Sequence, residues 1–181
     1  MNHVHPEEPA MRSRSPLVAL LLVSFLGSLG GCVRHQSMTL YNAPPSIARY
    51  DLGEDTATPG GIIAWHADLA MDLDESTIGS GRAASARIVG YCNGTMIVTP
   101  YGSDSDDREH RMTTIELDWN GTNDSLLVAG SHPYREGQIE TDTEIVRAIV
   151  GGTGLYAGAR GDMVSTRLEN GWYRHDIILI D

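Results

Sequence analysis

Three ionisable side chains stand out because they lie in stretches that otherwise alternate between apolar and polar residues. Arg147 interrupts the apolar run 145–150, His175 shares a strand face with Tyr173, and Glu116 lies on the polar face of another strand. Imidazole and carboxyl groups are the usual proton-transfer groups of cofactor-free catalysis, and a guanidinium can hold an acid in place. The chemistry that these residues favour is therefore proton transfer, or orientation of a polar group in apolar surroundings.

Each of the three residues also has a purely structural interpretation. Arg147 either faces solvent or pairs with an acid in the interior. His175 is either a core histidine with satisfied hydrogen bonds or a proton-transfer group at one end of the fold. Glu116 shares its face with Asp118, so it is either solvated or turned into a cavity.

The sequence gives no support to several other kinds of chemistry. It contains no Ser-His-Asp order, HExxH, CxxC or paired-histidine spacing, so a hydrolase or metalloenzyme is not predicted. The acidic segment with Asp104, Asp106 and Asp107 lacks the glycine and distal glutamate of an EF-hand loop, and we interpret it as a solvated loop. No cofactor and no metal site are expected.

Composition narrows the range of partners. The chain of 181 residues has a formal net charge of −11, and all 13 of its basic residues are arginines. Without lysine there is no lysine Schiff-base chemistry. A chain this acidic also lacks the positive surface charge that binds the phosphates of nucleic acid.

The first 31 residues predict a lipoprotein signal peptide. Leu17–Leu29 is an uncharged apolar run, too short for a comfortable transmembrane helix, and Arg12 and Arg14 precede it. The run ends in Gly-Gly-Cys32, which resembles a bacterial lipobox, so lipid attachment to Cys32 is expected. Residues 1–10 fit this pattern poorly. Either they are an N-terminal extension, or Met11 is the true first residue of the protein.

This leader predicts a location in the cell envelope. No aspartate follows Cys32, which favours the outer membrane if the host is Gram-negative. The alternative is an ordinary cleaved signal and a secreted or periplasmic protein. Residues 32–60, which include Pro44, Pro45 and Pro59, are interpreted as a lipidated tether, with the alternative that a short strand such as Ser37–Tyr41 docks onto the domain. Cys92 is then the only cysteine left, so the domain has no internal disulfide.

Residues 61–181 predict a single all-β domain. From Ile63 to Leu73 the odd positions are apolar, and similar alternation returns in further segments, whereas no helical period appears. Asn93-Gly94 is interpreted as a hairpin turn or a bulge. About eight strands in roughly 120 residues favour a closed antiparallel barrel over a sandwich.

A glycine-rich segment carries a family resemblance. Residues 150–161 read VGGTGLYAGARG, and they resemble the V-G-G-T-G-x-[FY]-x-x-A-x-G signature of allene oxide cyclase and dirigent barrels. Gly90-Tyr91-Cys92 and Pro133-Tyr134 follow the same order as in those families. The segment does not match G-x-G-x-x-G and no long helix follows it, so we interpret it as a structural turn.

The resemblance implies an eight-stranded antiparallel barrel around an apolar pocket, in some members a trimer, so a homo-oligomer (trimer or dimer) is expected. It places Cys92 at the pocket, with a buried structural cysteine as the equal alternative, and Tyr91, Arg147, Tyr173 and His175 are the further candidates for pocket residues. Asp68 resembles the first-strand acid of dirigents, which makes Asp68 and Glu116 the candidate catalytic acids. If the odd-numbered apolar face fills the barrel, however, Asp68 points outward.

The function implied is binding of an apolar small molecule, with stereochemical steering of its cyclisation or isomerisation. An enzyme of this kind would be an isomerase or cyclase that works by orientation and one acid. The alternative is a non-catalytic envelope lipoprotein that binds a hydrophobic ligand or a partner protein.

Overall fold

A computed structural model describes residues 35–50, 60–77, 80, 85–99, 108–135 and 141–180. The predicted signal peptide, Cys32 and the loop with Asp104, Asp106 and Asp107 lie outside the described residues. The strands are β1 (His35–Asn42), β2 (Ser46–Tyr50), β3 (Ile62–Leu73), β4 (Ala86–Thr99), β5 (Arg108–Trp119), β6 (Ser125–Arg135), β7 (Glu144–Thr153), β8 (Gly161–Arg167) and β9 (Tyr173–Ile180). In these parts of the chain no helix is long and apolar enough to cross a membrane.

The strands close into a barrel. Each strand from β3 to β8 pairs antiparallel with the next one along the chain, and β9 pairs with β1 over its whole length. The ring closes where Tyr41 and Asn42 of β1 meet Ala70 and Leu69 of β3. The predicted all-β, eight-stranded antiparallel barrel is confirmed, and β2 extends it as a ninth described strand beside β3.

The first part of the predicted tether belongs to the barrel. Residues 35–50, within the interval 32–60, form β1 and β2, with β1 paired to β9 and β2 paired to β3. Pro44 and Pro45 separate the two strands, because proline has no N–H to donate to a ladder. The boundary predicted at residue 61 is therefore wrong, since the domain already begins with β1.

Alternate residues of the strands fill the interior. Ile63, Ala67 and Leu69 of β3 are buried, whereas His66 and Asp68 between them are exposed. Residues with the same inward parity on the other strands are also buried, as expected for a small barrel. The largest buried side chains are Leu40, Leu69, Leu117, Leu126, Ile149, Met163 and Ile177. Each contributes about 1.5–3 kcal/mol by leaving water.

The glycine-rich segment forms one end of the barrel, here called the lower end. After β7, a 3₁₀ turn at Gly154–Tyr156 leads to β8. Within that turn Tyr156 stacks on Trp119 with ring centroids 4.8 Å apart, and both rings pack against the core. Asp124 Oδ1 accepts a hydrogen bond of 2.8 Å from the Leu155 N–H, which ties the turn to the β5–β6 connection. The segment is a structural turn, as the sequence predicts.

Asn93-Gly94 is not a turn. Both residues lie inside β4, where Asn93 pairs with His66 and Gly94 pairs with Trp65. A Cβ at Gly94 would collide with the Trp65 indole, so the glycine leaves room for an aromatic ring against the strand. The Asn-Gly pair therefore reflects packing rather than chain reversal.

Candidate functional site

The opposite end of the barrel, here called the upper end, holds a cavity of about 440 Å³. The first residues of β3, β5, β7 and β9, the last residues of β2, β4, β6 and β8, and the β8–β9 connection lie at this end. Cavities of this size are typical of small-molecule sites, which span about 300–1,000 Å³. The lining comprises Asn42, Pro45, Ile47, Arg49, Ile63, Trp65, Cys92, Met96, Arg111, Ile115, Ser131, His132, Pro133, Tyr134, Thr143, Glu144, Ile145, Val146, Arg147, Ser165, Arg167, Tyr173 and His175.

Apolar side chains from β3, β4 and β5 form most of one side of the cavity, with Arg111 of β5 beside them. Ile63, Trp65, Met96 and Ile115 point inward from these strands. Trp65 is the largest of them, and it packs against the hydrophobic core as well as lining the cavity. Since these side chains make no strong hydrogen bonds, this wall suits the apolar body of a ligand.

The other side carries a chain of buried polar groups. Arg147 Nη1 donates to Ser165 Oγ at 3.4 Å, Ser165 Oγ lies 3.0 Å from His175 Nδ1, and His175 Nε2 lies 2.6 Å from Asn42 Oδ1. The Asn42 amide nitrogen donates to the Ala43 carbonyl at 2.7 Å, which directs Oδ1 toward the imidazole. His175 therefore donates from Nε2 and accepts the Ser165 hydroxyl at Nδ1.

A second histidine is oriented by the same guanidinium. Arg147 Nη2 lies 3.0 Å from His132 Nδ1, and both residues are buried. An arginine can only donate, so Nδ1 accepts and the proton of a neutral imidazole sits on Nε2. Arg147 thus fixes the tautomer of His132 directly and contacts His175 through Ser165.

Both histidines are held neutral. Burial lowers the pKa of His132 to about 4, and the charges of Arg147, Arg111 and His110 act in the same direction. Burial also lowers the pKa of His175 to about 4, with Arg147 lowering it further and Asp176 opposing. At neutral pH the two imidazoles therefore serve as hydrogen-bonding groups and carry no charge.

Three further lining groups have pKa values shifted by burial. Burial raises the pKa of Cys92 to about 12, against a hydrogen bond with Trp65 and the charge of Arg147. The Cys92 thiol consequently stays protonated and is a poor nucleophile. Burial raises the pKa of Tyr173 also, with Arg167 opposing. Burial lowers the pKa of Arg147 to about 10, so its guanidinium remains charged at neutral pH.

The structure brings together four of the residues that the sequence predicts at the pocket. Cys92, Arg147, Tyr173 and His175 all line the cavity. Of the two alternatives for Arg147, the interior one holds, although the partners are His132 and Ser165 rather than an acid.

Three other candidates lie on the outer surface. Asp68, Glu116 and Tyr91 are exposed and absent from the cavity lining, and Tyr91 instead contacts the His66 ring, with centroids 5.1 Å apart. The reason is strand parity, because the odd-numbered face of β3 and β5 and the even-numbered face of β4 fill the barrel. Asp68 and Glu116 therefore cannot reach a molecule in the cavity, which corrects their interpretation as its acids.

Sequence reasoning missed His132, Ser165 and Asn42. His132 follows Leu126, Val128 and Gly130 at every second position of β6, so alternation alone places it inside. Asn42 lies in the segment interpreted as a tether. Among the described residues no group of three or more His, Cys, Asp or Glu side chains could hold a metal ion.

Comparison with solved structures supports the architecture. The pterocarpan synthase dirigent protein GePTS1 is similar with a TM-score of 0.55 and 16% sequence identity, over 94% of this chain and 96% of that one. The chain has the dirigent-like barrel fold. A pyocyanin demethylase is also similar, with a TM-score of 0.58 and 19% identity over 80% of this chain and 99% of that one. Identities this low show the fold alone.

Comparisons of sequence add little to this structural similarity. No family model matches the chain. The PGA2-homolog C27.01c of Schizosaccharomyces pombe is 36% identical over 62 residues, which are 32% of this chain and 47% of that protein. The chain therefore spans about half the length of the curated relative that it matches.

Proposed function

We propose that the upper cavity binds one small, largely apolar molecule and holds it in a single orientation, steering its cyclisation or isomerisation. The observation that carries the proposal is the cavity of about 440 Å³, which has an apolar wall on one side and a fixed hydrogen-bonded chain on the other. The two similar structures are named for the synthesis of a pterocarpan and for the demethylation of pyocyanin. Those names support a small-molecule role.

Orientation is the means of steering that this geometry supports. Asp68 and Glu116 lie outside the cavity, both buried histidines are neutral, and Glu144, the one carboxyl side chain of the described lining, is exposed to solvent. A rigid shaped site with fixed donors can still favour one product, because holding reacting atoms in place removes much of the entropic part of a barrier.

Filling the cavity should abolish binding. Met96 lines the cavity, whereas its neighbour Ile97 is exposed on the outer surface. We expect Met96→Trp to weaken binding of the uncharged dye N-phenylnaphthylamine by about tenfold or more, since the indole takes up the space that the dye needs. Fluorescence titration measures the affinity, and the induced circular dichroism of the achiral dye reports a fixed orientation.

The matched control is Ile97→Trp, which adds the same side chain on the opposite face of β4. It should leave both the affinity and the induced dichroism as they are in the wild type. Equal binding by wild type and Met96→Trp would show that the dye binds elsewhere and would overturn the proposal.

We also propose that a lipid on Cys32 anchors the protein to a membrane of the cell envelope. The apolar run Leu17–Leu29 and the Gly-Gly-Cys sequence that follows it support this. Cys32→Ser should move the protein from the membrane fraction to the soluble envelope fraction, because no acyl chain can be attached to serine by this route. Fractionation with an antibody to the barrel measures the distribution, and unchanged membrane attachment would refute lipidation.

A further inference from the structure

Arg147 is a buried cation whose hydrogen-bond partners are all neutral. Its side chain is only 5% exposed, and its bonds go to the Ser165 hydroxyl and to the His132 imidazole. Nε of Arg147 is buried and has no hydrogen-bond partner. A buried charge is normally paired with an opposite charge, because desolvation is otherwise uncompensated. Among the described residues no such partner is bonded to Arg147, and an anion in the cavity that Arg147 lines would compensate its charge.

The described part of the cavity lining is richer in cations than the chain as a whole. Although the formal net charge of the protein is −11, the described lining residues include four arginines and one glutamate, and the glutamate, Glu144, is exposed. Arg111 lies over the Tyr134 ring at 3.4 Å from its centroid. A recessed site with a surplus of one sign of charge concentrates ligands of the other sign.

The guanidinium of Arg147 also has N–H donors that its bonds to Ser165 and His132 do not use. Its bonds to Ser165 and His132 use one N–H of each terminal nitrogen, and it carries more N–H groups than these. A planar guanidinium matches the oxygens of an ionised acid, and such charge-assisted bonds are stronger than neutral ones. His132, whose Nδ1 is occupied by Arg147, has its Nε2 proton left to donate to the same group.

We infer that the cavity selects molecules that carry an ionised oxygen acid, such as a carboxylate or sulfonate, on an apolar body, and that Arg147 recognises this group. The inference rests on the proposed function, since it concerns the same cavity. It adds a ligand class: the apolar wall of β3 to β5 takes the hydrocarbon part, and the Arg147 side takes the anion.

Two dyes that differ only by one sulfonate group test the inference. Anilinonaphthalene sulfonate is N-phenylnaphthylamine with one added sulfonate. The wild type should bind the sulfonate about tenfold more tightly than the uncharged dye. In Arg147→Gln the sulfonate affinity should fall by about tenfold or more, whereas affinity for the uncharged dye should change by less than about threefold. Arg147→Lys, which keeps the charge but loses the planar fork, should retain a preference for the sulfonate.

Arg87→Gln is the control for net charge. Arg87 pairs with Asp72 on the surface, where its side chain is 63% exposed, and it does not line the cavity. The Arg87→Gln substitution removes the same charge from the protein and should leave the affinities for both dyes unchanged.

The outcomes separate this inference from the proposed function. Circular dichroism shows whether Arg147→Gln and Arg147→Lys fold. If they fold, the inference is overturned when the sulfonate preference survives in Arg147→Gln or is lost equally in Arg87→Gln. If instead Met96→Trp weakens the binding of neither dye, the proposed function fails. Loss of sulfonate affinity in Arg147→Gln alone, with the uncharged dye still bound, supports the inference.

Discussion

Acidification from pH 6.5 to about 4 should lower the free energy of unfolding by several kcal/mol, because two buried histidines must then bind protons. The pKa of both His132 and His175 is lowered from 6.5 to about 4, mainly by burial and secondly by Arg147. One pKa unit corresponds to about 1.4 kcal/mol, so each histidine contributes about 3 kcal/mol. Their shared neighbour Arg147 couples the two, and the sum is an upper limit.

The sign follows from the protons bound in each state. Between pH 6.5 and about 4 the unfolded chain protonates both histidines while the folded barrel keeps them neutral. The unfolded state therefore binds more protons, and the stability falls as the pH falls through this window. More than about one pH unit above 6.5 both states are neutral at these sites, and the histidine contribution to stability no longer varies with pH.

Urea unfolding at several pH values measures the effect, and two variants isolate its source. His175→Asn should flatten the dependence of unfolding free energy on pH by about half, since one of the two titrating groups is gone. Ser165→Ala removes a hydrogen bond of the same network but no imidazole, so it should lower stability while most of the slope remains. A slope identical in wild type and His175→Asn would contradict the prediction.

The sequence predicts the barrel well where one face of a strand is apolar. β3 alternates from Ile63 to Leu69 with its odd face inside, as expected, but a register shift after Leu69 buries Ala70 and leaves Met71 exposed. β1 was less visible, because only Leu40 and Asn42 of its residues are buried and a pair of prolines follows it. A strand held mainly by ladder bonds to β9 leaves little apolar periodicity to detect.

The site is predictable only in part, for a physical reason. A charge in an apolar run marks Arg147, and a histidine among apolar residues marks His175. Their partners could not be identified, because the hydrogen bond from His175 to Asn42 joins residues 133 positions apart and exists only once β1 closes the barrel against β9. The acids were misplaced for a related reason, since Asp68 and Glu116 resemble family positions in local sequence but lie on outward faces.

The second large effect is expected at the lower end, where Gly161→Ala should cost about 3 kcal/mol or more of stability. Gly161 begins β8 with φ of 146°, a conformation that L residues rarely adopt. An added Cβ would also collide with the main-chain carbonyl of Ile178 on β9. Neither strain can relax by side-chain rotation, because the obstacle is backbone within the β8–β9 ladder.

Two other glycines of the same segment separate these causes. Gly158 has φ of 79° but nothing within 4 Å of an added Cβ, so Gly158→Ala should cost only about 1 kcal/mol. Gly151 has neither a positive φ nor a nearby atom, and Gly151→Ala should change stability by less than about 1 kcal/mol. Urea unfolding of the three variants should rank them in this order. If Gly161→Ala lost no more stability than Gly158→Ala, the close approach of β8 and β9 would not be the reason for the glycine at this position. If the ranking holds, Gly161 is required because β8 and β9 approach each other closely at the lower end of the barrel.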